Sequence, residues 1–147
     1  MARRSPPTEP WDVIYSRTAD GLVPADLLLD ACPAKVRARI LAVLDDVAGS
    51  PPPWFSGGGH WEAMRGAMAG LFEIRATGPR REQFRLFCIL ENGGADDLLR
   101  RGLSRPAIAV ITGLRKPWMT TFTDAGYRAV RALTEDHRRN HPRRIAE

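Results

Sequence analysis

The sequence predicts an α+β fold, an antiparallel sheet with helices packed on one face. Three observations carry this. Residues 71–90, LFEIRATGPRREQFRLFCIL, read as two strands around a turn; residues 33–48 repeat apolar side chains at helical spacing; residues 107–114, AIAVITGL, form a further apolar run of strand length.

Residues 1–9 contain Pro6 and Pro7 and no hydrophobic period, which predicts a disordered leader. Residues 11–15, WDVIY, alternate as a short strand with Trp11, Val13 and Tyr15 on one face. Pro24 suits the first turn of a short helix carrying Leu27, Leu28 and Leu29. From Pro33 to Ala48, the positions of Val36, Ile40, Val43, Leu44 and Val47 form one apolar stripe, and Gly49 with the proline run at 51–53 ends that helix. Together the two helices predict a hairpin lying on a sheet.

The loop PPPWFSGGGHWEAM contains Gly57, Gly58 and Gly59 but lacks the Lys and Ser or Thr of a phosphate-cradling loop, so it reads as a flexible connector. Trp61, Met64 and Met68 are core candidates, and His60 a surface residue.

In the hairpin, Phe72, Ile74 and Ala76 alternate with Glu73 and Arg75, and a turn centred on Gly78 to Glu82 sets Arg75 opposite Arg85, with Glu73 near Phe87. Like charges directly opposed destabilise a sheet. Two guanidinium groups held side by side are better explained by a shared anion such as a phosphate. A register slipped by one residue would instead send them to opposite faces. Residues 91–106 form a polar loop with a brief helical turn at 97–100. The strand at 107–114 is followed by Arg115, Lys116 and the stop signal Pro117. A last helix begins at Thr123 and Asp124 and carries Tyr127, Val130, Leu133 and His137 on one face; residues 139–147 read as a basic tail.

The 147 residues suffice for one domain, assigned to 10–138, with a formal charge of +5 carried almost wholly by arginine. Residues 12–46 lean acidic, whereas the hairpin and the chain from Arg115 onward lean basic, a polarity suited to a phosphate-bearing partner. No stretch approaches the roughly 20 apolar residues of a membrane span, and the basic N-terminus has no apolar run after it; a cytoplasmic protein with no membrane partner is expected. Cys32 and Cys88 sit in apolar neighbourhoods and read as reduced buried thiols. His137 and His141 are spaced i, i+4, but their basic surroundings offer few further ligands, so no metal and no cofactor is expected.

The LFEIR strand, the FRLF strand, a third strand ending in ITGLRKP and a helix with Tyr127 and Arg128 together resemble the RelE superfamily of bacterial toxins, closest to its HigB-like, phage-derived branch. The resemblance spans roughly residues 10–138 and includes the first strand, the helical pair and the connector. It implies a RelE-like fold and the toxin of a type II toxin-antitoxin system. Such a toxin is an mRNA interferase, an endoribonuclease that cuts mRNA on the ribosome and inhibits translation, held inactive by an antitoxin from the adjacent gene, expected to be a helix-turn-helix protein. Glu73 and Arg75 match the family's first motif, Arg85 its second, and Arg115 with Lys116 its third. Phe84 and Arg115 depart conservatively from the aromatic and the lysine pair usual there, and the loop at 91–105 is long for the family.

Metal-free RNA cleavage needs a 2'-OH attacking its own phosphate in line, leaving a 2',3'-cyclic phosphate and a 5'-OH. A base takes the 2'-OH proton, cations stabilise the phosphorane, and an acid protonates the leaving oxygen. Arginine suits only the second task, because its pKa is too high to shuttle protons while its planar fork matches phosphate oxygens. Arg75 and Arg85 are thus assigned to the phosphate, Lys116 to charge and proton transfer, and Glu73 either to orienting Arg75, to acting as base, or to a plain cross-strand ion pair. Arg115, Arg80, Arg81 and His137 are candidate RNA contacts. Tyr127 either stacks on a base or, by its phase with Val130, joins the core. Two other classes remain open: a non-catalytic RNA- or protein-binding member of the same fold, and a structural or assembly protein of a mobile element.

Overall fold

The computed structural model describes residues 9–51 and 59–146; residues 1–8 of the expected leader and 52–58 of the glycine-rich connector lie outside them. The elements run β1 (Asp12–Tyr15), α1 (Pro24–Ala31), α2 (Ala34–Gly49), β2 (Trp61–Ala63), β3 (Phe72–Thr77), β4 (Gln83–Glu91), α3 (Ala95–Arg100), β5 (Ala107–Lys116) and α4 (Asp124–Arg139). The class is α+β. Five strands form one sheet in the order β1-β5-β4-β3-β2.

The sheet is mixed and not purely antiparallel, since β1 pairs with β5 in parallel while the other neighbours are antiparallel. A parallel neighbour is reached only by a long connection. Here α1, α2, β2, β3 and β4 all intervene, and local periodicity carries no trace of such a pairing. The strand β2 is a second departure from the expected order. Its three residues pair Trp61 with Ile74 and Glu62 with Glu73, closing the edge beyond β3.

Helices cover both faces, correcting the one-faced expectation. On one side α1 and α2 bury Leu28, Leu29, Val36, Ile40, Leu44 and Val47 against Trp61, Ile74, Phe84, Leu86, Ile108 and Val110. Trp11, Val13 and Tyr15 pack against this cluster, as their alternation predicts. On the other side Val130 of α4 packs with Met68, Leu71, Phe87, Ile89, Ala109 and Ile111. The physical reason is the apolar run itself: β5 is buried continuously from Ala107 to Thr112, and a strand buried on both faces needs two covers. The helical hairpin approaches closely at Gly113, where a Cβ would lie 2.1 Å from Leu28 Cδ2 and 2.8 Å from the Arg85 carbonyl.

One irregularity sets the direction of the basic residues that end β5. Phe87 pairs with Thr112 but Cys88 with Val110, so Ile111 is an extra residue, a β-bulge. Beyond it Leu114 opposes Arg85 and Lys116 opposes Gln83, on the α4 side, while Gly113 opposes Leu86 and Arg115 opposes Phe84, on the α1 side.

The segment after α4, expected as a basic tail, folds back along β1. Ser16 and Ile145 form an antiparallel bridge, the Arg17 amide donates to the Arg144 carbonyl at 3.0 Å, and the Ala146 amide donates to Tyr15 at 2.8 Å. Its arginines are anchored inward: Arg143 donates through Nε to Glu91 Oε2 at 2.7 Å and through Nη1 to the Asn140 carbonyl at 2.9 Å.

Candidate functional site

The hairpin register places Arg75 directly opposite Arg85 and Glu73 opposite Phe87. Gly78 and Pro79 open the turn, and Arg80 and Arg81 complete it in left-handed backbone conformations, at φ 57° and 59°. With the turn closed between Thr77 and Gln83, period two sends Glu73, Arg75, Gln83 and Arg85 to the α4 side. The slipped register is not adopted.

Glu73 lies beneath the two guanidinium groups with only 7% of its side chain exposed. Its Oε1 accepts from Arg75 Nε at 2.7 Å, and its Oε2 stands 3.9 Å from Arg85 Nε. Glu62, brought in by β2, meets Arg75 Nη2 at 3.1 Å. The carboxylates hold two like charges together that would otherwise separate. Burial pulls the Arg85 pKa below its ordinary value, with Glu73 opposing that shift and Arg75 adding to it; in Arg75 the loss of solvent is outweighed by the hydrogen bond and charge of Glu73, and its pKa rises. Both stay cationic at any physiological pH.

Around Arg85 the site continues toward β5. Its Cζ lies 5.4 Å from the Phe122 ring centre, and Lys116 Nζ lies 5.1 Å from the same ring. Lys116 also donates to the Thr120 carbonyl. Phe122 is thus flanked by two cations whose charges its π-face offsets in part. On the other side an open cleft of about 690 Å³ is bordered by Glu62, Arg65, Glu73, Arg75 and Tyr127. Tyr127 rests edge-on against Phe87, ring centres 6.2 Å apart, and stays half-buried. Burial first, and the Glu73 charge second, raise its pKa, while Arg85 and Arg75 oppose this; the phenol is therefore a neutral O–H donor at pH 7. Helical phase does direct Tyr127 inward, yet its ring also borders the cleft.

Of the residues singled out in the sequence, Glu73, Arg75, Arg85 and Lys116 share one face. Arg115 does not: the bulge turns it to the α1 side, where it borders an apolar groove with Leu27, Leu28 and Ala31 and stands 4.0 Å from Glu82. Arg80 and Arg81 are exposed in the hairpin turn, Arg81 with its Cζ 4.5 Å from the Trp118 ring centre. His137 is fully buried, bonded through Nδ1 to Ser16 Oγ at 2.9 Å and through Nε2 to Glu91 Oε2 at 3.0 Å, so its place as an RNA contact is corrected to that of a core residue. Sequence reasoning passed over Glu62, Phe122 and Trp118. Glu62 belongs to a strand too short to show a period, and the two aromatics lie in the irregular chain after Pro117, where only their proximity to LRK was a signal.

In comparisons with known proteins, no family model, no curated protein and no solved structure matches the chain. Among the described residues no group of three or more His, Cys, Asp or Glu side chains could hold a metal ion, and no helix is long and apolar enough to cross a membrane.

Proposed function

We propose that the protein is a RelE-like, HigB-like toxin, an mRNA interferase that cuts mRNA on the ribosome by 2'-OH attack and is neutralised by the product of an adjacent gene. The observation carrying this reading is the paired register of Arg75 and Arg85, with Lys116 on the same face and Glu73 buried beneath them. Fixed cations gathered above a buried carboxylate form a preorganised electrostatic seat for a phosphorane. In the step itself the 2'-oxygen bonds to phosphorus as the P–O5' bond breaks. The 2'-OH proton passes to the Glu73 carboxylate, and O5' takes one from the Lys116 ammonium or the Tyr127 phenol. Arg75, 43% exposed, reaches a substrate without unfolding anything, and Arg85, 14% exposed, supplies a fixed charge behind it.

A second reading has its own support. Glu62 and Glu73 together engage Arg75, and a site already balanced by carboxylates would also suit a protein that binds RNA or a protein partner without cutting. Expression in a bacterial host separates the two. The toxin reading expects growth arrest when the chain is induced alone and relief when the adjacent gene is co-expressed; growth indifferent to the chain would discard it.

A further inference from the structure

Beyond the phosphate seat, the same end of the sheet carries an aromatic side chain that neither the core nor the chemistry uses. Trp118 follows β5 directly after Pro117 and is 51% exposed; its neighbour Met119 is 81% exposed and takes a left-handed backbone, at φ 65°. The Arg81 guanidinium, delivered by the β3–β4 turn, lies 4.5 Å from the indole centre. An exposed contact of this kind stabilises the fold less than covering the indole would. Fold stability therefore does not explain why a large ring is held in solvent.

Its surroundings point to an occupant. Gln83 opposite Lys116 brings the hairpin turn beside the end of β5, so Arg81 of the turn meets the Trp118 ring while Lys116, two residues before it, meets Phe122. From the Arg75–Arg85 pair the strip runs over Phe122, flanked by Arg85 and Lys116, and on to Trp118 with Arg81. Trp118 lies four positions beyond Leu114, the partner of Arg85, a span of at most about 13 Å at strand rise. Cations that track a backbone, interleaved with aromatic rings, match single-stranded nucleic acid, whose bases stack on exposed rings while its phosphates meet the charges. A protein partner would find the exposed ring equally sticky, but not the surrounding cations, unless it were acidic.

We propose that Trp118, steadied by Arg81, is a stacking platform for an unpaired RNA base near the scissile phosphate. The assignment rests on the RNA-cleaving reading and extends it to a subsite for the flanking nucleotide. Base stacking does not depend on charge, so the subsite tolerates many sequences while fixing where the strand lies over Arg75 and Arg85.

The test is equilibrium binding of a labelled single-stranded RNA with 2'-O-methyl riboses, which cannot be cleaved, followed by fluorescence anisotropy at several salt concentrations. Wild type is compared with Trp118→Ala, Trp118→Leu, Trp118→Phe and Arg85→Ala. The proposal expects Trp118→Ala and Trp118→Leu to weaken binding by about 5- to 150-fold, the range for one lost base stack. Trp118→Phe retains most of the affinity, and the slope of log affinity against log salt stays that of wild type, because no phosphate contact is lost. Unchanged affinity in Trp118→Ala, or a Leu variant that binds like wild type, overturns the platform. If Arg85→Ala has then lost binding, the phosphate seat survives and only the platform fails; if no form binds RNA, both fail together. A Trp118→Ala protein with intact RNA binding but weakened capture of the adjacent gene's product would reassign the ring to a protein interface.

Discussion

Glu91 gives the fold its sharpest quantitative test. The side chain is 3% exposed at the far end of β4, and it receives His137 Nε2 at 3.0 Å and Arg143 Nε at 2.7 Å on one oxygen and Arg101 Nη1 at 3.4 Å on the other. Burial alone would raise its pKa, but the hydrogen bonds from His137 and Arg143, with their charges, hold it down at about 2 against an ordinary 4.5. A folded-state pKa below the unfolded one means stability that is complete above pH 4.5 and lost as pH falls toward 2. At 1.36 kcal/mol per unit this difference corresponds to about 3 kcal/mol. Glu91→Gln keeps the shape and removes the charge, leaving the Arg143 guanidinium buried without its counter-ion, a change on the order of 3–5 kcal/mol. Urea unfolding of both proteins at pH 7 and at steps down to pH 2 reads this directly. The variant is expected to be less stable at pH 7 by about 3 kcal/mol, with the gap closing between pH 4.5 and 2 as wild type takes up its proton. A constant gap across that range, or no gap at pH 7, would refute the network as the lock on the C-terminal segment.

Other outcomes follow from the same geometry. Arg85→Ala is expected to lower mRNA cleavage in a translating extract by about 10² or more, the scale of losing one preorganised donor, and unchanged cutting would remove Arg85 from the site. Arg115 and Lys116 alternate to opposite faces and the bulge at Ile111 puts Lys116 on the α4 side, so Lys116→Ala should lower cleavage far more than Arg115→Ala; equal losses in the same assay would contradict that division. Gly113→Ala drives a Cβ into Leu28 and should cost about 1–3 kcal/mol in thermal unfolding, with a neutral result showing that α1 can yield. Thr123 accepts the Gly126 amide at 3.0 Å as the N-cap of α4, so Thr123→Ala should lower stability by about 1 kcal/mol, measured by urea unfolding, and no change would deny the cap its role.

Some of this was legible in the chain and some was not, for identifiable reasons. Strong alternation in FEIRAT and a turn bounded by Gly78 and Glu82 favour the register that faces Arg75 with Arg85, but a slip of one residue fits the same sequence and only the structure decides between them. The helical hairpin is plain, because Val36, Ile40, Leu44 and Val47 repeat over about three turns. The bulge is invisible: one extra residue in a wholly apolar run leaves no mark, yet it reverses the phase of everything after Ile111. Phase with Val130 does direct His137 inward, but its partners Glu91 and Ser16 lie 46 and 121 residues away, beyond any local pattern. Two buried faces on β5 demanded covers on both sides, a consequence implicit in AIAVI that the helices' order in the chain does not announce.

The central claim is that Arg75, Arg85 and Lys116 seat a phosphate while its own 2'-OH attacks it. Mapping the ends of mRNA cut in a translating extract tests this most directly. The expected ends are 2',3'-cyclic phosphate upstream of each cut and 5'-OH downstream, both falling by about 10² or more with Arg85→Ala. Fragments ending in 3'-OH and 5'-phosphate, or intact mRNA in the presence of the wild-type protein, would contradict it.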